Sequence, residues 1–441
     1  MNLFWKKMFG GLTNTAKLEK QEAELVREYD RYCEVGKSAE WAEFKELQAK
    51  VKSPEFKQNK KMLQTRKYKD TEEYRNITKF KKLQSEADFK KYLSVLSSSE
   101  LTCFLEFKQS AQYKLLSDPE AVKKSAELQR MKAFERSKEY ALYTRYHDSY
   151  QEKEYLKLKQ LVEQEDFQKR VEFWSNPKRW ETTEEYRLDT RYYQLFKNDD
   201  IHFYQSTDPK KFDQIKEYQL TFEDNFDWNT LERAHWDTGF HYQSPALMSN
   251  HSFANEKQAN NGGHNVEVIN GVLNIKTRKE TVKAPAWEGK GMKGFVEKEF
   301  EYTSDIIQTG AHFKQAEGVF RAKIRCSGPI HHAFWLGSSN KLPHVNIFHF
   351  NGKNITVGNA NNQLFDQTKI TGINPNVFYI YTLVWRQKEL IWLVNDVEVF
   401  RTSANMPNQP LHMVINSFIS EAQHGAQGTL EVDWVRVYAK R

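Results

Sequence analysis

The chain has 441 residues, of which 39% are apolar, 28% charged and 14% aromatic, with a formal net charge of +7. This composition excludes an intrinsically disordered chain, and the length fits roughly two to three folded domains. The positive excess is small for the length, and no Lys/Arg cluster alternates with base-stacking aromatics, so no nucleic-acid partner is expected.

The first residues, MNLFWKKMFGG, lack an apolar run long enough for a signal peptide, because Lys6 and Lys7 interrupt it. The expected location is therefore cytoplasmic, or on a phage- or virion-type particle. Leu3, Phe4, Trp5, Met8 and Phe9 are expected to pack onto a neighbouring helix rather than to anchor at a membrane, and no span of membrane length is found. Cys33, Cys103 and Cys326 are scattered and odd in number, which gives neither a disulfide framework nor a zinc motif.

Residues 1–212 read as an all-α region. Gly and Pro are rare, and apolar residues recur three and four apart, as in LQRMKAFERSKEYALYTRY. The stretches EYRNITKF (Glu73–Phe80), EYALYTRY (Glu139–Tyr146) and EYRLDTRY (Glu185–Tyr192) repeat one pattern. Nine residues beyond each final aromatic stand Phe89, Tyr155 and Ile201. The irregular spacing of the copies predicts diverged helical hairpins that stack to bury their apolar stripes. The helical region is assigned a scaffold role, with a protein partner or self-assembly as its use.

Asp208 and Pro209 mark the junction to residues 213–441, which read as all-β. Short alternating runs such as GVFRAKIR, ELIWLVNDVEVF and GTLEVDWVRVYAK are separated by turn residues. Seven segments stand in a telling order: LTFEDNFD (Leu220–Asp227) followed by Trp236, NVEVINGVLNIKT (Asn265–Thr277) with an Asn270-Gly271 turn, YTSDIIQT (Tyr302–Thr309), EGVFRAKIR (Glu317–Arg325), HAFWLG (His332–Gly337), VFYIYTLVW (Val377–Trp385) and LEVDWVRVY (Leu430–Tyr438). Together they resemble the strands of laminarinase-type glycoside hydrolases of family 16. The resemblance implies a two-sheet jelly roll and a polysaccharide or oligosaccharide ligand.

That family carries its chemistry on a strand of the form P-E-I-D-x-x-E. Retaining hydrolysis needs two carboxyl groups about 5–5.5 Å apart, and the odd spacing implies a bulge. Here the strand reads LPHVNIFHFNG. The resemblance places His344 at the nucleophile, Asn346 at the middle carboxylate and His349 at the acid/base. An imidazole can move a proton but supplies no negative charge to an oxocarbenium-like centre, so no catalytic residue is assigned. The resemblance also sets His331 in place of a sugar-stacking tryptophan, Tyr379 in place of a histidine, and Arg321 with Lys323 in place of a Glu/Arg pair.

The expected function is non-catalytic, lectin-like carbohydrate binding through His331, Trp335, His344, Asn346 and His349, with Trp287 at the rim in KAPAWEGKGMKGF (Lys283–Phe295). Trp385 is expected in the core. Two alternatives stand beside this reading: a structural or assembly protein such as a virion or fibre component, and a hydrolase whose catalysts have moved to Glu317, Asp366 or Glu421. His331, His332, His344 and His349 also admit a Zn, Cu or Ni reading. Bonding to backbone, water or sugar hydroxyls is preferred, and no metal or cofactor is expected.

Overall fold

Serine and threonine cap the start of most of the helices. The computed structural model describes all residues except 1, 2, 4, 5, 7–9, 245, 246, 290–293, 340, 341, 362 and 363. By internal contacts the chain forms two compact units, Met1–Cys33 with Ser206–Arg441, and Glu34–Gln205. The helices are α1 (Thr15–Lys37), α2 (Ala39–Val51), α3 (Pro54–Thr65), α4 (Glu72–Ser85), α5 (Ala87–Leu96), α6 (Ser99–Gln109), α7 (Pro119–Lys124) and α8 (Ala126–Glu135). They continue with α9 (Lys138–Tyr146), α10 (Tyr150–Val162), α11 (Glu165–Ser175), α12 (Glu184–Phe196), α13 (Asp199–Ser206) and α14 (Asp213–Glu217).

Ser38, Ser53, Thr71, Ser98, Ser125, Ser137, Ser149 and Thr183 each accept a first-turn N–H through Oγ. Such a cap satisfies a donor that the helix leaves unpaired and tells the previous helix where to stop. Within the unit Glu34–Gln205, α6 packs on α8, α5 on α9, α4 on α10 and α11, and α2 on α12. The chain therefore runs out and returns along itself, turning through α7 and the 3-10 turn Ala111–Ser117. The repeat pattern is a burial pattern: Tyr146, Tyr192, Phe89, Tyr155 and Ile201 are all in the interior. Phe80 stacks on Tyr155 at 5.3 Å, and Phe89 meets Tyr146 edge-on at 5.4 Å.

The other unit is a two-sheet jelly-roll sandwich. Its strands begin with β1 (Tyr218–Asp224), β2 (Asp237–Thr238), β3 (Ser252–Phe253), β4 (Gln258–Asn260), β5 (Val266–Ile269), β6 (Val272–Trp287), β7 (Phe295–Ser304), β8 (Ile306–Gln308) and β9 (Gly318–Ser327). They end with β10 (His331–Gly337), β11 (His344–Asn351), β12 (Ile355–Asn361), β13 (Leu364–Ile370), β14 (Tyr379–Arg386), β15 (Glu389–Val394), β16 (Val397–Thr402), β17 (His412–Phe418) and β18 (Gly428–Lys440). Among the described residues one sheet has eleven strands and the other seven, ordered β13-β12-β11-β10-β17-β8-β2. Asn270 and Gly271 both take positive φ, 53° and 74°, as a tight hairpin between β5 and β6 requires.

Period-two alternation builds the core. Phe320, Ala322, Ile324 and Cys326 of β9 meet Phe334 and Leu336 of β10, Val345, Ile347 and Phe348 of β11, and Trp385 of β14 in one buried cluster. The N-terminal segment belongs to this unit. Leu3 and Leu12 enter the same cluster, so Leu3 packs into the sandwich rather than onto a helix, while Phe4, Trp5, Met8 and Phe9 lie outside the described residues. Leu18 covers Ile380 and Trp434. Glu19 accepts hydrogen bonds from Trp434 Nε1 (2.9 Å) and Lys323 Nζ (3.0 Å), and Glu22 pairs with Arg321 at 2.6 Å. Arg321 and Lys323 therefore hold the first helix and take no part in a cleft, and Tyr379 is buried in the core.

Candidate carbohydrate-binding face

The seven-stranded sheet turns one face to the core and the other outward, and the candidate residues sort by parity. On β10 His332, Phe334 and Leu336 point inward, leaving His331, Ala333, Trp335 and Gly337 outward. On β11 His344 and Asn346 pair with Gly337 and Trp335, but the register then shifts, so that His349 rather than residue 348 pairs with Ala333. Ile347 and Phe348 both enter the core. That bulge brings His344, Asn346 and His349 onto one face despite their uneven spacing. From the opposite sheet, the buried Trp392 donates Nε1–H to the Asn346 carbonyl at 2.8 Å and pins the bulge.

His331 Nδ1 and His349 Nε2 lie 2.9 Å apart, and the His331 ring stacks on Phe418 at 4.3 Å. His344 Nε2 meets Asn346 Oδ1 at 2.8 Å, and its ring stacks against Trp335 at 4.4 Å. Trp335 Nε1 donates to Asn416 Oδ1 at 3.1 Å. Five of the six expected residues thus share one face in two contacting groups, His331 with His349, and Trp335 with His344 and Asn346. Trp287 does not join them: it sits at the end of β6 in the other sheet, its ring 5.0 Å from Phe295. Among the described residues no hydrogen bond or ring contact links Trp287 to either group.

Burial pushes the imidazoles below their ordinary range. His331 and His344 fall to about 4, His331 with a further push from His349, and His349 is lowered as well. His332 is fully buried on the other face, where Ser417 Oγ (2.8 Å) and the Ser327 carbonyl (2.9 Å) satisfy it. It therefore leaves the histidine set, and among the described residues no group of three His, Cys, Asp or Glu side chains could hold a metal ion.

Carboxylates are scarce on this face. Following the ladders outward from Asn346, the row runs Trp335, Val414, Gln308 and Asp237. Asp237 is the one acid on the outward strand positions among the described residues, and it stands four strand spacings, roughly 19 Å, from Asn346. Asp366 turns the other way, towards Thr402. Glu317 precedes β9 in the opposite sheet, and Glu421 lies exposed beyond β17. These three acids do not meet on the outer face.

The same ladders add residues that the β11 motif did not reveal. His412, Val414, Asn416 and Phe418 alternate outward along β17, and Phe365 of β13, 52% exposed, meets His344 edge-on at 5.9 Å. The alternation within HMVINSF carried that signal.

Residues 253–436 match the sequence model of glycosyl hydrolases family 16, and the match does not reach the helical region. No curated protein matches the chain. Among solved structures, the chain is similar to SCLam, a non-specific endo-β-1,3(4)-glucanase (22% identity, 51% of this chain and 92% of that one, TM-score 0.41). It is also similar to the laminarinase catalytic domain of Thermotoga maritima (17%, 51% and 99%, TM-score 0.41) and to the endo-β-1,3-glucanase of Pyrococcus furiosus (18%, 51% and 96%, TM-score 0.41). No described helix is long and apolar enough to cross a membrane.

Proposed function

We propose that the outer face of the seven-stranded sheet binds a polysaccharide or oligosaccharide without hydrolysing it. One observation carries the reading: His344, Asn346 and His349 present uncharged hydrogen-bonding groups, backed by the rings of Trp335 and Phe418. Aromatic faces with a few fixed polar groups suit sugar rings, which have apolar faces and hydroxyl edges. The family match over residues 253–436 supports a polysaccharide as the ligand class.

Hydrolysis asks for something else. Two carboxyl groups must flank the bond, about 5–5.5 Å apart for retention or about 6.5–9.5 Å for inversion. Among the described residues Asp237 stands alone on the outward strand positions, and it is held 3.2 Å from His312 Nε2. A neutral imidazole beside a neutral amide does not stabilise the positive charge that develops at the anomeric carbon.

Affinity electrophoresis of the full chain in gels containing laminarin, lichenan, agarose or carrageenan tests this reading. Retardation by at least one polymer, abolished in Trp335→Ala, with no reducing ends released on long incubation, is the expected result. No retardation by any of them, or reducing-end release by the unaltered chain, overturns it. The helical unit fits a scaffold role: apart from Thr71, Glu152, Arg179 and Asp189 its buried positions are apolar or aromatic, while Tyr150, Leu156, Tyr193 and Phe196 remain exposed for contact with a partner chain or a second copy.

A further inference from the structure

One side of the sandwich is open between its two sheets. Among the described residues β5 pairs only with β6 and so forms an edge of the eleven-stranded sheet, while β2 ends the seven-stranded one. A cavity of about 590 Å³ is lined from both edges. Leu231 and Arg233 from the loop after β1, Thr238 of β2, Gly263 and the β5 strand itself surround it.

The hydrogen-bond phase of β5 decides what this cavity meets. Lys276 N–H donates to the Asn265 carbonyl, and the ladder then sets Glu267 against Asn274 and Ile269 against Val272. Bonded pairs alternate along an antiparallel ladder. Residues 265, 267 and 269 therefore turn their backbone groups to β6, and Val266 and Val268 turn theirs to the open side. Gly263 accepts the Val266 N–H at 3.1 Å. The Val266 C=O and the Val268 N–H and C=O have no partner among the described residues.

An open edge is usually guarded by Lys, Pro or a bulge. β5 has none of these: it reads VEVI, its register to β6 is unbroken, and Glu267 is held by Lys276 (2.7 Å) and Arg278. Leu231, Val266 and Val268 rest on the core with part of their surface open, and Ile269 is 43% exposed.

We infer that this edge takes an extended acidic peptide segment of a partner protein by strand addition. Its main chain pairs with Val266 and Val268, an apolar side chain enters the cavity beside Leu231, and a side-chain carboxylate meets Arg233. Two alternate residues of an extended chain supply the one acceptor and two donors that the open groups need. Charge sets the rest. Arg233 forms no ion pair among the described residues, and Glu232 beside it accepts the Ala234 N–H. Arg233, Lys276 and Arg278 thus stand against only Glu232 and Glu267, which leaves the rim positive. A second copy of β5 offers Arg233 no carboxylate, because its Glu267 is already taken.

The site does not depend on the glycan-binding reading, and the full chain tests it by fluorescence anisotropy. The probe is labelled acetyl-Thr-Val-Asp-Val-Thr-Val-amide, beside a form with Lys in place of Asp and a fully N-methylated form. Saturable binding of the acidic peptide is expected, roughly tenfold weaker for the lysine form and lost on N-methylation. Val268→Pro removes the outward N–H, which an edge strand tolerates, and should weaken binding about fivefold, the effect of one hydrogen bond. Arg233→Glu alters an exposed side chain and is the arbiter if Val268→Pro folds poorly; it should reverse the preference between the acidic and lysine forms. No binding of the acidic peptide at millimolar concentration, or equal affinity in the unaltered chain and both variants, overturns the docking site. Laminarin affinity lost in Arg233→Glu would assign the cavity to a glycan. A dimer of the unaltered chain that Val268→Pro dissolves would assign the edge to a second copy. Either result overturns the peptide.

Discussion

His331 and His349 face each other across β10 and β11 with Nδ1 and Nε2 2.9 Å apart, so one nitrogen carries the hydrogen and the other must keep its lone pair. The contact cannot survive with both rings doubly protonated. Phe418 stacked on His331 keeps water from compensating the charge. The neutral state of this outer face is therefore a consequence of its packing.

Acid should destabilise the sandwich in a defined window. The folded-state values of His331 and His344 lie at about 4, and those of His332 and His412 at about 3. All are below the ordinary histidine value of about 6.5. The unfolded chain then takes up protons first, so the stability is fully present above about pH 6.5 and is lost as pH falls from there towards about 4. Urea midpoints at pH 7.5, 6.0 and 5.0 are expected to fall in that order, and a flat profile across the window would contradict the assignment.

Trp335 should matter more for binding than for folding. Its indole lies against His344 on a partly open face, so Trp335→Ala is expected to weaken glycan binding by roughly tenfold or more, about 1.4 kcal/mol or above. Trp335→Phe should retain an intermediate affinity. Titration calorimetry with a bound glucan gives the ratio; equal losses in all variants, or none, would count against a stacking role.

The N-terminal segment should behave as part of the sandwich. Leu12 is buried in the main core cluster, so Leu12→Ala is expected to cost about 2–4 kcal/mol in chemical denaturation of the β unit. Glu19→Gln removes the charge that meets Lys323 and weakens the acceptor for Trp434 Nε1, and should shift the environment of Trp434 in fluorescence. Unchanged stability in Leu12→Ala would show that the segment is dispensable.

The caps of the repeats offer a test of the helical unit. Thr71→Ala and Thr183→Ala each remove an Oγ that accepts a first-turn N–H, from Tyr74 and Tyr186 respectively. Each should cost about 1 kcal/mol by circular-dichroism melting. Replacement by Ser should restore most of it.

Much of this architecture was legible in the sequence because it follows local periodicity. The β9 run GVFRAKIR places Phe320, Ala322 and Ile324 inward as alternation requires, and the repeated aromatics mark buried helix positions. The repeat also had a missed first letter: Thr71, Ser137 and Thr183 stand two residues before each Glu-Tyr pair as helix caps. What alternation does not encode is which strands become neighbours. His412 of β17 joined His344 of β11 through Gly337 of β10, although β17 lies far along the chain from the consecutive strands β10 and β11. Lys323 and Arg321 met Glu19 and Glu22 about three hundred positions away. Trp287, adjacent to a Gly-rich stretch, belonged to a strand of the other sheet. Parity within a strand was readable; partners across the sheet were not.

The central claim, binding without cleavage, is tested most directly by saturation-transfer NMR on the full-length protein mixed with β-1,3(4)-glucan oligosaccharides. The expected spectrum shows magnetisation passing from protein to the sugar ring protons, while the reducing-end anomeric signals keep their intensity over a day. Growth of new anomeric signals, or no transfer to any sugar proton, would contradict the account.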